Sequence, residues 1–148
     1  MKSHRFNIVA ALFAAVLPII LSCSVMQAKN PIRVNSRWVA TQQIFVADVG
    51  TMTETYTLEF TSRKQCTYTS VWELPAHPAT YVNADGTVDI IPGSSSRSVS
   101  VAAWKFRRGT LTLTFEDGSS KEFSYAGGAL RAPSGIPGED LVFTQERD

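Results

Sequence analysis

The chain has 148 residues, 44% of them apolar, with 14 basic and 13 acidic side chains and a formal charge of +1 at neutral pH. That length supplies one domain's worth of core. The near-balanced charge gives no electrostatic case for a nucleic-acid partner or for an anionic membrane surface. Two cysteines and two histidines leave little material for a metal site.

The first element is a targeting segment. Lys2 and Arg5 are the only formal charges before Cys23, and residues 6–21 form an apolar run broken only by Asn7 and Pro18. A bilayer-spanning helix wants roughly 20 apolar residues. A secretory signal wants about 7–15, with positive charge ahead of them, and residues 1–22 fit that pattern. Removing Lys2 and Arg5 takes the basic count from 14 to 12 against 13 acidic residues, a net of −1, so the apparent positive balance belongs to the signal.

Ile20-Leu21-Ser22-Cys23 follows directly. Apolar residues, then a small one, then cysteine resemble a bacterial lipobox. The resemblance implies that Cys23 is acylated and becomes the new N-terminus, anchoring the protein to the cell envelope, with a Gram-negative outer membrane as the expected location. Several acyl chains on one cysteine would hold durably, at ~0.8 kcal/mol per buried methylene. The competing processing sites lie after Ser24 and after Ala28, the second weakened by the large Met26 three residues before the cut. Residues 23–35, from Cys23 through "SVMQAKNPIRVN", lack a sustained apolar period and read as a flexible tether, leaving residues 36–148 as the folded domain.

Within that domain the recurrent signal is alternation with period two. Residues 38–47 are rich in β-branched and aromatic side chains. In "TETYTLEFT", Tyr56, Leu58 and Phe60 share one face, with Thr55, Thr57, Glu59 and Thr61 on the other. "QCTYTSVWE" places Cys66, Tyr68 and Trp72 together, which makes Cys66 a buried free thiol behaving as a small apolar side chain. "ATYVN" and "TVDIIP" form a pair. "SVSVAAWKF" puts Val99, Val101 and Ala103 on one face and Trp104 and Phe106 on the opposite parity, which predicts a bulge near Ala102-Ala103. "TLTLTF", "KEFSY" and "LVFTQ" complete the set.

Hairpin register follows from arithmetic, because directly opposed residues of an antiparallel pair share a face. A three-residue loop Glu116-Asp117-Gly118, with Gly118 left-handed, sets Leu111 against Phe123 and Leu113 against Lys121. It keeps the apolar residues together where a two-residue loop would not. The same loop type at Ala84-Asp85-Gly86 would pair Val82 with Val88 and Thr80 with Ile90.

No stretch after residue 35 keeps helical spacing for three turns. Eight or nine short strands argue for an all-β fold. An eight- to nine-stranded antiparallel up-and-down barrel is the simplest path, with a β-sandwich as the alternative. Two connections are long: residues 92–98, and residues 126–140. The second would be a lid over an open end or a decorated edge.

Taken together, Trp38 at the start of the first strand, the run of hairpins ending in "LTLTFEDGS" and Arg147 after the last strand resemble the lipocalin-like (calycin) small bacterial lipoproteins. Ser36 stands where that group opens with glycine. The resemblance implies an eight-stranded barrel with a cavity open at one end, and an arginine, here Arg147, stacked on the opening tryptophan. The inward aromatic candidates are Trp38, Phe60, Tyr68, Trp72, Trp104, Phe115 and Phe123. They either fill the interior or line an apolar pocket for a small ligand.

Chemistry finds weaker support. His77 lies between two prolines in "LPAHPAT" without a G-x-S-x-G nucleophile motif, so it reads as a surface residue. "NADGT" resembles a calcium loop but lacks the later ligands, and Glu59 and Glu73 fall on outward faces. Arg97, Lys105, Arg107 and Arg108 read as charges protecting an edge strand. The expectation is a non-enzymatic envelope lipoprotein without metal or cofactor, with no nucleic-acid partner, that binds a small hydrophobic ligand. The alternative is a solid-cored lipoprotein that binds an unidentified partner protein.

Overall fold

The computed structural model describes residues 29–147; the signal segment and Cys23 lie outside the described residues. Ten strands occur in chain order: β1 Arg37–Val46, β2 Gly50–Glu59, β3 Gln65–Leu74, β4 His77–Pro78, β5 Ile90–Ile91, β6 Ser94–Arg107, β7 Thr110–Phe115, β8 Ser120–Ala126, β9 Ala129–Pro133 and β10 Asp140–Gln145. No helix is present among the described residues. Eight strands close into an antiparallel up-and-down barrel in the order β1-β10-β9-β8-β7-β6-β3-β2, while β4 and β5 pair only with each other. The architecture is compatible with a lipocalin-like fold.

The closed end is a packed core. Even-numbered residues of β1, β2 and β3 face inward, and Trp38 opposes Leu58, which in turn opposes Tyr68. Trp38, Leu58, Phe60, Leu111, Leu113, Phe123, Leu130 and Phe143 are all but fully buried. Each contributes about 1.5–3 kcal/mol by leaving water. The aromatic rings meet edge to face: Phe60 with Trp104 at 5.1 Å, and Phe123 with Phe143 at 5.4 Å, a geometry the ring quadrupoles favour.

The loop arithmetic holds at residues 116–118. Leu111 opposes Phe123 and Leu113 opposes Lys121. The Phe115 N–H donates to Ser119 O at 2.9 Å, and Gly118 adopts φ 82°, a conformation costly for any residue with a Cβ. The same device closes residues 83–87, where the Asn83 N–H donates to Thr87 O at 2.8 Å. In both turns a serine or threonine two residues after an aspartate binds it through side chain and backbone, which lowers the Asp85 and Asp117 pKa values.

Five expectations need correction. First, "ATYVN" and "TVDIIP" are not barrel strands. Beyond the turn the pairing slips by two, so that Pro78 opposes Ile90 and His77 opposes Ile91. Pro75, Pro78 and Pro92 cannot donate to a ladder, and residues 75–93 form an excursion between β3 and β6.

Second, residues 126–140 are not a long lid. Ala126 opposes Ala129 across Gly127-Gly128, both at positive φ, and β9 follows at once. This is the two-residue turn that matches strand twist. β9 supplies the barrel's eighth strand.

Third, no bulge interrupts β6, whose pairing with β3 runs unbroken from Gln65↔Ala103 to Leu74↔Ser94. Its even residues face inward throughout, so Val99 and Val101 sit on the outer wall, 54% and 48% exposed. There they extend rows of β-branched pairs, Val99 beside Thr69 and Val101 beside Thr67.

Fourth, the packing begins before residue 36. Ile32 is 6% exposed within the core cluster, and the Asn35 N–H donates to Phe60 O at 2.7 Å. Residues 32–35 are therefore part of the fold rather than of a loose tether. Fifth, Arg147 is exposed, and the cation–π contact among the described residues is that of Lys121 on Tyr68. Trp38 instead meets Tyr125 edge-on at 6.3 Å.

Candidate functional site

The two walls of the barrel differ in height. β1, β2 and β3 have 10 residues each and β6 has 14, whereas β7 to β10 have between 5 and 7. β7 pairs with β6 only over residues 102–107, so residues 94–101 keep β3 as their sole strand neighbour. A gap opens between this part of β6 and the β7–β8 turn.

A cavity of about 520 Å³ occupies that gap, lined by Tyr68, Ser100 and Phe115 with Val99, Val101 and the 116–119 turn at its mouth. A second chamber of about 200 Å³ lies on the other side of Lys121, walled by Phe123, Ala132, Leu141 and Phe143. Tyr68 and Lys121 border both chambers. The larger falls within the ~300–1,000 Å³ typical of small-molecule sites.

The polar groups at this level are arranged in a line across the interior. Lys121 Nζ lies 3.3 Å from the Tyr68 hydroxyl and 4.8 Å above the ring centroid. The Tyr68 ring is 6.2 Å from that of Tyr56. The Tyr56 hydroxyl donates to Glu54 at 2.6 Å, and Gln42 Nε2 donates to the same oxygen at 2.5 Å. Burial raises the Tyr56 pKa, and the Glu54 carboxylate raises it further. Gln42 Oε1 is buried without a partner. Ser96, Ser98 and Ser100 face this region from β6, opposite Trp72, Ser70 and Tyr68.

The seven aromatic candidates separate into three groups. Tyr68, Phe115 and Phe123 come together around the two chambers. Trp38, Phe60 and Trp104 pack the closed end, where the Trp104 indole N–H donates to Ser62 O at 3.0 Å. Trp72 has inward parity but stands at the tall rim opposite Glu54, 38% exposed. Sequence reasoning missed Lys121, Ser100, Ala132, Leu141 and Phe143 as lining residues.

Cys66 is a buried free thiol as expected, its pKa pushed up to about 12 by burial. The side chain of His77 contacts the Pro75 carbonyl, with Nδ1 at 3.2 Å. Among the described residues, no group of three or more histidine, cysteine or acidic side chains could hold a metal ion. Comparisons with protein-family models, curated proteins and solved structures find no match to the chain.

Proposed function

We propose that the protein is a lipocalin-like lipoprotein of the cell envelope, tethered through an acylated Cys23 to a Gram-negative outer membrane, whose barrel binds a small, largely apolar ligand without transforming it. The observation that carries the ligand is the contrast between the two ends of the barrel. One end is filled by Trp38, Leu58 and Phe60; the other keeps a cavity of about 520 Å³ beside Tyr68 and Phe115. Support for the anchor comes from the signal-like residues 1–22, which end in Leu21-Ser22 directly before Cys23.

Native mass spectrometry of protein purified from its own membranes tests both parts together. The expected spectrum shows cleavage before Cys23, an acyl mass on that residue, and a retained small molecule released on unfolding. An unmodified Cys23, or processing after Ser24 or Ala28, would remove the anchor. A spectrum with no adduct, joined to failure of any apolar probe to bind, would remove the ligand.

A second reading, docking of a partner protein, is favoured by the excursion. Tyr81, Val82, Val88, Ile90 and Ile91 are all exposed within eleven residues of chain, and apolar exposure of this kind marks interaction surfaces. Removing the excursion separates the readings, because cavity binding should survive it and partner docking should not.

A further inference from the structure

Resting on the lipoprotein reading for the position of the membrane, we infer that the closed end of the barrel is a basic docking face for a bilayer of anionic phospholipids, with the open end turned away. Near-balanced net charge hides this face, because the topology sorts the two signs to opposite ends of the barrel.

In an up-and-down barrel successive connections alternate between the two ends. Residues 47–49, 75–93, 116–119 and 134–139 connect strands at the open end. They carry the carboxylates Asp48, Asp85, Asp89, Glu116, Asp117 and Glu139 and contain no lysine or arginine. Residues 60–64, 108–109 and 127–128 lie at the closed end, with the segment before β1 and the residues after β10. Here the sign reverses: Lys29, Arg33, Arg63, Lys64, Arg108 and Arg147 are all exposed, and Lys105 and Arg107 join them from the end of β6. The carboxylates at this end, among the described residues, are Glu59 and Glu146. Both are held by Arg37, at 3.3 and 2.5 Å, and the other basic side chains have no ion-pair partner among the described residues.

Backbone hydrogen bonds gather these segments onto one surface. The Asn35 N–H donates to Phe60 O at 2.7 Å, which sets the Arg33 segment beside residues 60–64. The Trp104 N–H donates to Lys64 O at 3.1 Å and joins that loop to β6, while the Glu146 N–H donates to Arg37 O at 2.9 Å.

The place where the chain leaves this face argues for a bilayer. Lys29 lies six residues after Cys23, a span of about 20 Å when extended. An acyl anchor at Cys23 would therefore hold the basic end, rather than the acidic one, near the headgroups. Each lysine or arginine close to an anionic leaflet strengthens partitioning about fivefold, and a basic face beside an acyl chain makes a durable two-signal anchor. A nucleic-acid strand finds less here, since the exposed aromatics Phe45, Trp72 and Tyr81 belong to the open end.

The test uses the mature chain, residues 23–148, with Cys23→Ser so that no acyl chain contributes. It is sedimented with vesicles of phosphatidylcholine alone or with an equal part of phosphatidylglycerol. The protein should bind the anionic vesicles and not the neutral ones, and molar salt should abolish binding, since the screening length there is ~3 Å. Arg63→Gln with Lys64→Gln, or Lys105→Gln with Arg107→Gln, should weaken binding about tenfold or more. Arg63→Lys with Lys64→Arg should preserve it, as should Arg97→Gln at the acidic end, with thermal melts confirming that each variant is folded. Equal binding to both vesicle types, binding to neither, or an equal loss in Arg97→Gln overturns the proposal. Binding to a DNA duplex without binding to vesicles overturns it too and gives the face to nucleic acid. The mass of the native chain reads the anchor separately: an unmodified Cys23 with anionic-vesicle binding removes the anchor and supports the basic face, whereas an acylated Cys23 without such binding keeps the anchor and overturns the face.

Discussion

The Trp38 indole Nε1 lies 3.3 Å from Ser36 Oγ, which itself donates to the Arg33 carbonyl at 2.6 Å. The hydroxyl thus satisfies a buried indole donor and fixes the chain just before β1, next to the Phe60 N–H that donates to Ser36 O. Ser36→Ala should cost about 1–3 kcal/mol, because the indole donor is left buried and unpaired. Ile32→Ala should cost about 2–5 kcal/mol if the residue belongs to the core as its burial indicates. Urea denaturation of each variant measures both, and an Ile32→Ala protein as stable as the parent would return residues 32–35 to the status of a loose tether.

Burial of Cys66 predicts a pH dependence with a defined sign. A thiol ordinarily titrates near 9 and here is held protonated up to about 12. The folded state therefore binds the proton more tightly than the unfolded state. The stabilisation is complete below pH 9 and is lost as pH rises through 12. The parent should lose stability over this window faster than Cys66→Ala, and Cys66 should resist a thiol reagent at pH 8 until the protein unfolds. Rapid labelling of the folded protein would contradict the burial.

The parity of β6 can be tested at adjacent positions. Val101 is on the outer wall and Ala102, 2% exposed, is on the inner one. Val101→Thr should change stability by no more than about 0.5 kcal/mol. Ala102→Leu should cost about 1–3 kcal/mol by overpacking against Cys66 and Phe115, its cross-strand neighbours. Reversal of the two effects in thermal melts would place the bulge back at Ala102-Ala103.

Replacing residues 75–93 by Asn-Gly should leave a folded barrel. Leu74 and Ser94 are already opposed, and a two-residue turn of that composition closes such a pair without strain. The shortened protein should keep the strand signature in circular dichroism and a cooperative melt. Loss of cooperative unfolding would show that the excursion is required for the barrel rather than carried by it.

How much of this was legible before the structure depends on which physical signal each residue carried. Alternation plus the face-matching rule was enough for β2, β3, β7 and β8, down to the pairing of Leu111 with Phe123. It failed where alternation was present without burial: Val82, Val88 and Ile90 read as strand residues, yet three prolines hold their segment out of the sheet. It also failed at β9, where "AGGALRAP" looked like a loop because its glycines and proline outweighed Leu130 and Ala132. The Gly-Gly pair was nevertheless a two-residue turn signal.

The site was half legible. Tyr68 and Phe115 were found from their parity alone. Lys121 was missed although the register that set it against Leu113 already placed it on the inner face, because lysine is expected in water. Trp72 was assigned the correct face, but the alternating pattern carries no information on where along a strand the core ends, and that depends on how tall the opposing wall is. Ile32 had no periodic neighbours to announce it; only the three-dimensional closure of the barrel's base brings it against the core.

The unequal strand lengths have a kinetic consequence. Because residues 94–101 of β6 rise past the end of β7 with no strand hydrogen-bonded on the side away from β3, the gap is a standing sideways slot in the wall. A molecule entering there needs no hinge to swing and no segment to melt. Exchange of an occupant should then follow encounter and escape, with residence time set by how firmly the interior grips it.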